Sequence, residues 1–345
     1  MCVRARACVR ACCARVCACV CARACVYVQK HFPFKLFWIQ PATVFDVHFY
    51  RFTYYSDSFK KCADKDKLIE LPGLQPLSTI DFPSFVFDDL ESTNWEAESI
   101  KNQIEMLNSE ENLRVLVNTF DALEFDALKI LKHVTMIGIG PSIPSVFLKD
   151  NIFRADMIEI SSKNYMGWLN LKDKGSVIYI AFGSHSEISS QLLEEIGQGL
   201  LKCGRPFLWV IREGKDGYKI EEQLSGKDKL EMQGKMVSWC SQVEVLKHPS
   251  VGCFLTHCGW NSTLESIASG LPIVACPIWN DQVCNTKFIQ DIWKNGVILN
   301  VSEGGVVERY EFSRCIEIVM GGSKEGKEMR RNAKKWSDLA KEAMK

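Results

Sequence analysis

The stretch that most restricts how this chain can fold runs from Trp239 to Gln282, WCSQVEVLKHPSVGCFLTHCGWNSTLESIASGLPIVACPIWNDQ. Val251–His257 is an apolar run of strand length that ends on a polar residue. Cys258-Gly259-Trp260 is a turn. Asn261-Ser262-Thr263 then opens a helix through Leu264, Ile267 and Ala268, which stops at Gly270. Pro272–Pro277 is a second apolar run. Strand, glycine turn, helix and strand in that order predict a βαβ unit.

In such units ligands sit past the carboxyl ends of the strands. His257, Asn261, Ser262 and Thr263 gather at that point, where a helix start with unpaired amides and a favourable dipole suits a phosphate. Glu265, on the first helical turn, is placed to accept from a ribose diol, and it stands three residues after Ser262, the spacing of a capping box. Trp239 follows another predicted strand, Lys235–Ser238, and offers a flat face to a base. Stacking of that kind is worth roughly 1–3 kcal/mol. Trp279, Asp281 and Gln282 lie beyond the last strand, where they can hold sugar hydroxyls. Together these features describe a nucleoside-diphosphate-sugar site.

The whole stretch resembles, without a gap, the signature box of plant secondary-product UDP-glycosyltransferases. That resemblance implies an α/β protein of GT-B fold, with two Rossmann-like domains: a C-terminal one for the UDP-sugar and an N-terminal one for the acceptor. By position it places Trp239 on uracil, the Cys240 backbone at the base edge and Gln242 near the ribose. It assigns His257, Asn261 and Ser262 to the diphosphate, Glu265 to the ribose hydroxyls, and Asp281 and Gln282 to the sugar. Ser184, whose hydroxyl would face the diphosphate, and Trp260 complete the donor-binding set. Gln at the final position resembles glucose-preferring members. UDP-glucose enters as co-substrate, with no metal ion and no other cofactor. Leu36–Phe52 and Leu68–Val86 resemble the acceptor domain of the branch with anthocyanin 5-O- and crocetin glucosyltransferases, so the acceptor class is a phenolic or carboxylic plant metabolite.

With 345 residues and 47% apolar content, the chain has material for two cores. Zero net charge argues against a nucleic-acid partner, and no uncharged apolar run reaches the 18 residues of a membrane span. The zero conceals an asymmetry: residues 1–45 hold five Arg and two Lys and no acid. Eight of the 16 Cys fall in residues 1–26, a segment that uses only Cys, Val, Arg and Ala after Met1. Those four amino acids are what alternating TG and CG dinucleotides encode, so the segment reads as a translated repeat. A thiolate cluster around Cys17, Cys19 and Cys21 is the alternative. Arg interrupts every apolar run as a secretory signal would not, and Ser, which a transit peptide would want, is absent. The other eight Cys are scattered through apolar patterns without CxxC pairing, as in a reduced, cytoplasmic protein.

The domain expectation is therefore a low-complexity segment over 1–33, an incomplete acceptor domain over 34–147, a polar linker over 148–164 and the UDP-sugar domain over 165–345. Gly138-x-Gly140 runs into Pro141 with no helix behind it, which makes a dinucleotide fingerprint a poor reading. Glu213–Lys229 reads as a charged loop, and Gln282–Trp293 as one helix. In the resembled family the base is a His after the first acceptor-domain strand, held by an Asp. Here the repeat occupies that region. His31 and His48 fall outside the motif, and His248 before Pro249 reads as a helix-end residue, so no catalytic residue is assigned. The last helix stops at Lys345, where the family's final helix is expected to be missing. A monomer with low or no transferase activity is the expectation.

Overall fold

The computed structural model describes residues 36–38, 40–53, 68–71, 74–86, 95–108, 113–143, 165–184, 186, 188–212 and 220–345. The Cys/Arg repeat, His31 and the linker lie outside them. The chain divides into two compact units. One comprises the residues up to Ala155 with Trp279–Asn285 and Leu339–Lys345; the other comprises Asp156–Ile278 and Thr286–Asp338. Residues 279–285 and 339–345, assigned by sequence to the second domain, thus cluster with the first.

The first unit contains β1 (Leu36–Trp38), α1 (Ala42–Thr53), the two-residue strands β2 (Leu68–Ile69) and β3 (Leu77–Ser78), α2 (Trp95–Asn108), β4 (Leu113–Val117), α3 (Ala127–Ile130) and β5 (Val134–Gly138). β1, β4 and β5 form a parallel sheet in that order. Pro41 enters α1 where its missing N–H costs nothing. The helix start is then satisfied from elsewhere: the Glu124 carboxylate accepts from the amides of Ala42 (3.0 Å) and Thr43 (3.1 Å) and from the Thr43 hydroxyl. A carboxylate at a helix N-terminus is favoured by the dipole. Burial pushes the Glu124 carboxyl up, and these bonds offset only part of that rise. Glu124 and the residues after it lead by sequence into a helix over Glu124–Leu131; the structure has the shorter α3, Ala127–Ile130, and uses the Glu124 side chain at the start of α1.

The second unit runs α4 (Tyr165–Asn170), β6 (Val177–Ala181), α5 (Ser190–Cys203), β7 (Phe207–Val210), α6 (Lys227–Gln233), β8 (Lys235–Val237), α7 (Gln242–Lys247), β9 (Val251–Thr256), α8 (Trp260–Ser269) and β10 (Ile273–Ala275). After α9 (Gln282–Lys287), which begins in the first unit, come β11 (Gly296–Ile298), α10 (Arg309–Met320) and α11 (Lys324–Ala343). Six parallel strands line up as β11-β10-β9-β6-β7-β8. β6 is buried along its whole length, as an apolar run covered on both faces should be. Ile178, Ile180 and Phe182 pack with Leu193, Ile196, Leu200 and Phe312 on one face. Val177, Tyr179 and Ala181 pack with Leu208, Val245 and Phe254 on the other.

Three local expectations are corrected. Part of the predicted loop Glu213–Lys229 is the start of α6, which follows Gly226 and is anchored by fully buried Leu230. The helix predicted over 282–293 becomes α9 and a π-helical turn, Phe288–Ile292. The capping box at Ser262 does not form, because α8 begins earlier, with Gly259 as its N-cap.

Candidate functional site

Numbered within its own unit, the six-stranded sheet has the order 3-2-1-4-5-6 read from β8, so the winding reverses between β6 and β9. The crevice outside the carboxyl ends of those two strands is where such sheets take ligands. β6 leads there into Gly183 and Ser184, and β9 into His257 and Cys258.

The tip of the His257 ring is packed closely against two glycines. A Cβ on Gly183 would lie 2.6 Å from its Nε2 atom and one on Gly259 2.7 Å away, so both chain segments pass the ring at a distance only glycine permits. Nδ1 lies 3.2 Å from the Thr256 hydroxyl. Cys258 takes a positive φ of 63° in the turn, which is pinned by the Thr263 hydroxyl donating to the Cys258 carbonyl at 3.2 Å. The first backbone bond of α8 runs from Thr263 N–H to the Gly259 carbonyl, so the amides of Asn261 and Ser262 precede the helical ladder and face outward with the positive dipole end. Asn261 and Ser184 are exposed.

Arg212, just past β7, donates to the carbonyls of Ser184 and Ser186, tying down the loop after β6. Burial, and secondarily the Arg212 charge, push the His257 imidazole down to about 4. The ring is therefore neutral near pH 7. Arg212 carries little signal in the sequence: it is only the first cation after the apolar run Pro206–Ile211.

A second cluster lies along the same unit. The Gln242 amide donates to Glu265 Oε2 at 2.7 Å and to the Ser262 hydroxyl at 3.1 Å. Its carbonyl accepts from the Tyr179 hydroxyl at 3.2 Å, which also lies 3.4 Å from the Cys240 sulfur. Residues distant in sequence thus meet through α7 and α8. Trp239 is half-buried between β8 and α7, its indole N–H enclosed without a hydrogen-bond partner. Trp260 turns inward, its ring 6.1 Å from that of Trp293, so its side chain belongs to the core.

Asp281 and Gln282 cluster with the first unit. Asp281 accepts from Asn285 Nδ2 at 2.9 Å and Gln282 from the Trp279 amide at 3.1 Å. The neighbouring Asn280, at φ 62°, exchanges bonds with Ser84 and accepts from Gln40. Burial pushes the Asp281 carboxyl up to about 6. His48 packs among aromatic rings on α1. His248 caps the end of α7, bonded to Ser250 and Asn170. Among the described residues no group of three or more His, Cys, Asp and Glu is placed to hold a metal ion, and no helix is long and apolar enough to cross a membrane.

Residues 151–339 match the family model described as UDP-glucoronosyl and UDP-glucosyl transferase. The chain is 50% identical over 325 residues to UDP-glycosyltransferase 75C1 of Solanum lycopersicum, covering 91% of this chain and 69% of that one. The chain belongs to this family. Crocetin glucosyltransferase, chloroplastic, of Gardenia jasminoides is 47% identical, with 91% of this chain and 68% of the relative covered. Among solved structures, Os79 from O. sativa in complex with UDP is similar at TM-score 0.74 and 32% identity, over 94% of this chain and 71% of that one. Phytolacca americana UGT2 complexed with UDP-2fluoro-glucose and pterostilbene is similar at 0.75 and 29%, over 92% and 69%. The fold is thus the α/β GT-B arrangement of plant UDP-glycosyltransferases.

The buried histidine of this UDP-glycosyltransferase carries a pH signature. Its folded value of about 4 lies below the ordinary imidazole value of 6.5, so between those values the unfolded chain binds the proton and the folded chain does not. His257 therefore contributes its full stability above pH 6.5 and loses it as pH falls toward 4, about 2 kcal/mol by pH 5. Asp281, raised from 3.8 to about 6, works in the opposite sense: its contribution is complete below pH 3.8 and is lost as pH rises through 6. Urea unfolding at pH 5 and 7.5 separates them. His257→Gln is expected to lose about 2 kcal/mol less on acidification than the parent; an unchanged pH slope would mean a charged histidine in the folded chain.

Proposed function

We propose that the chain binds UDP-glucose in the crevice at the carboxyl ends of β6 and β9, as the donor half of an inverting glucosyl transfer to a hydroxyl or carboxyl of a plant small molecule. One observation carries the assignment: Gln242, Ser262 and Glu265 form one bonded cluster on the unit whose switch point presents His257 and the start of α8. In this reading Trp239 stacks on the uracil with Cys240 at its edge, and Gln242 and Glu265 take the ribose. Ser184, His257, Asn261 and Ser262 take the diphosphate, with the Trp260 backbone contributing at the helix start. Asp281 and Gln282 take the sugar. As the glycosidic bond breaks, negative charge grows on the departing UDP, and amide and imidazole donors aimed at it stabilise the transition state.

A phenolic or apocarotenoid acceptor fits the branch: relatives include Phloretin 4'-O-glucosyltransferase of Malus domestica beside the crocetin enzyme. Seven cysteines among the described residues are free, six of them buried, which supports a reducing compartment and, with it, the cytoplasm. The proposed domain scheme has a donor domain over 165–345, of which 279–285 and 339–345 cluster with the first unit, and an acceptor part over 34–147. The base that would deprotonate the acceptor is not assigned. The alternative reading is a UDP-sugar binder with little or no turnover.

Two measurements on the purified chain decide between these readings. Titration calorimetry with UDP and UDP-glucose tests the site, where saturable 1:1 binding is expected. Incubation with UDP-glucose and a panel of flavonoids tests turnover, where the first reading expects glucoside and the second little or none. Glucoside formation at ordinary enzyme rates would overturn the second reading, and absence of UDP binding would overturn both.

A further inference from the structure

We propose that Tyr179 is a positioning residue for the ribose subsite, acting through Gln242; the proposal rests on the UDP site described above. Tyr179 sits in the middle of β6, 1% exposed, with its ring stacked on Phe254 at 4.8 Å. Such a central strand position would ordinarily hold a purely apolar side chain, and an aromatic hydrocarbon would fill the same volume. The hydroxyl therefore needs its own explanation.

That explanation comes from the direction of the hydrogen bonds. An ionised Glu265 can only accept, so the Gln242 group 2.7 Å from Glu265 Oε2 is its NH2 end. The carbonyl end of Gln242 then faces Tyr179, and the phenol must donate to it across 3.2 Å. With its proton committed, the phenol oxygen is left as acceptor toward the Cys240 sulfur at 3.4 Å. The chain of donors thus runs Cys240 to Tyr179 to Gln242 to Ser262 and Glu265, with one polarity throughout. Burial holds the phenol well above its usual range, so it remains a donor at any working pH. Without that hydroxyl the Gln242 carbonyl loses its donor on the β6 side. The amide is then held from one end only, by its NH2 bonds to Glu265 and Ser262, and can shift its carbonyl toward another donor, drawing the NH2 away from the place that sets the Glu265 carboxylate.

Tyr179→Phe removes one oxygen and keeps the ring on Phe254. Titration calorimetry of parent and variant with UDP and with 2′,3′-dideoxy-UDP reads the consequence. The variant is expected to bind UDP about fivefold more weakly, the loss of about one neutral hydrogen bond, while its affinity for the dideoxy nucleotide stays at the parent value. In a Gln242→Ala background the same change is expected to have no further effect on UDP. Equal losses for both nucleotides, no loss for either, or an undiminished loss in the Gln242→Ala background would each overturn the proposal. So would a Tyr179→Phe chain that fails to fold, because the hydroxyl would then serve stability. A parent that binds no UDP overturns the site reading and this proposal with it. A parent that binds UDP beside a variant that loses nothing overturns this proposal alone.

Discussion

Gly183→Ala is expected to weaken UDP binding roughly 10- to 100-fold while leaving most of the stability in place. Two effects act at this position. The backbone has φ +72°, a conformation that costs a residue with a Cβ roughly 1–2 kcal/mol. The new methyl would also stand 2.6 Å from Nε2 of His257 and 2.8 Å from its Cε1 atom, at the tip of a ring that Gly259 also approaches closely. The imidazole must therefore leave the place from which it would donate to a phosphate. A hydrogen bond to a charged group is worth about 1.5–3 kcal/mol, which converts to the stated range. Gly204→Ala is the control. Gly204 has nearly the same φ, +69°, but nothing within 4 Å of its Cβ position. Both variants are expected to lose about the same stability in urea titrations, and only Gly183→Ala to lose nucleotide. If the two bind UDP equally well, His257 does not hold the diphosphate.

Glu265→Ala is expected to weaken UDP by roughly 100-fold, with little change in melting temperature. Glu265 is half-buried on α8, and its carboxylate is the acceptor that orients the Gln242 amide. Removing it forfeits charge-assisted bonds to the ribose hydroxyls, about 1.5–3 kcal/mol each, and frees Gln242 to reorient. An opposing term exists, since a carboxylate repels a diphosphate. In a solvated crevice that repulsion is about 1 kcal/mol at 4 Å and less at larger separation, so the lost bonds dominate. Competition by inorganic pyrophosphate is expected to be unchanged, because that ligand has no diol. A Glu265→Ala chain that holds UDP as tightly as its parent would remove the ribose subsite from the reading.

How much of this was legible beforehand differs by the kind of interaction. The βαβ unit around His257 is local: its strand, turn and helix follow from apolar spacing and from Gly259 and Gly270 within twenty residues, and the structure places β9, α8 and β10 within a residue or two of the expected bounds. Where a local rule met a competing partner, it lost. Ser262 and Glu265 have capping-box spacing, yet both side chains bond to Gln242 from a different helix. Glu124 reads as the first residue of its own helix and instead caps α1, some eighty residues earlier in the chain.

The amino-acid sequence by itself determined the parallel α/β class, the family and the identity of most donor-site candidates, because those depend on residue type and short spacing. Only the tertiary structure decided that β6 and β9 are neighbours, and therefore that Gly183 walls in His257, that Arg212 pins the Ser184 loop and that Tyr179 reaches Gln242. It also decided that Trp260 faces the core and that Trp279–Asn285 clusters with the first unit. Strand order is set by which apolar faces bury one another across long loops. That energy is shared among many residues, none of which carries it in a readable local pattern.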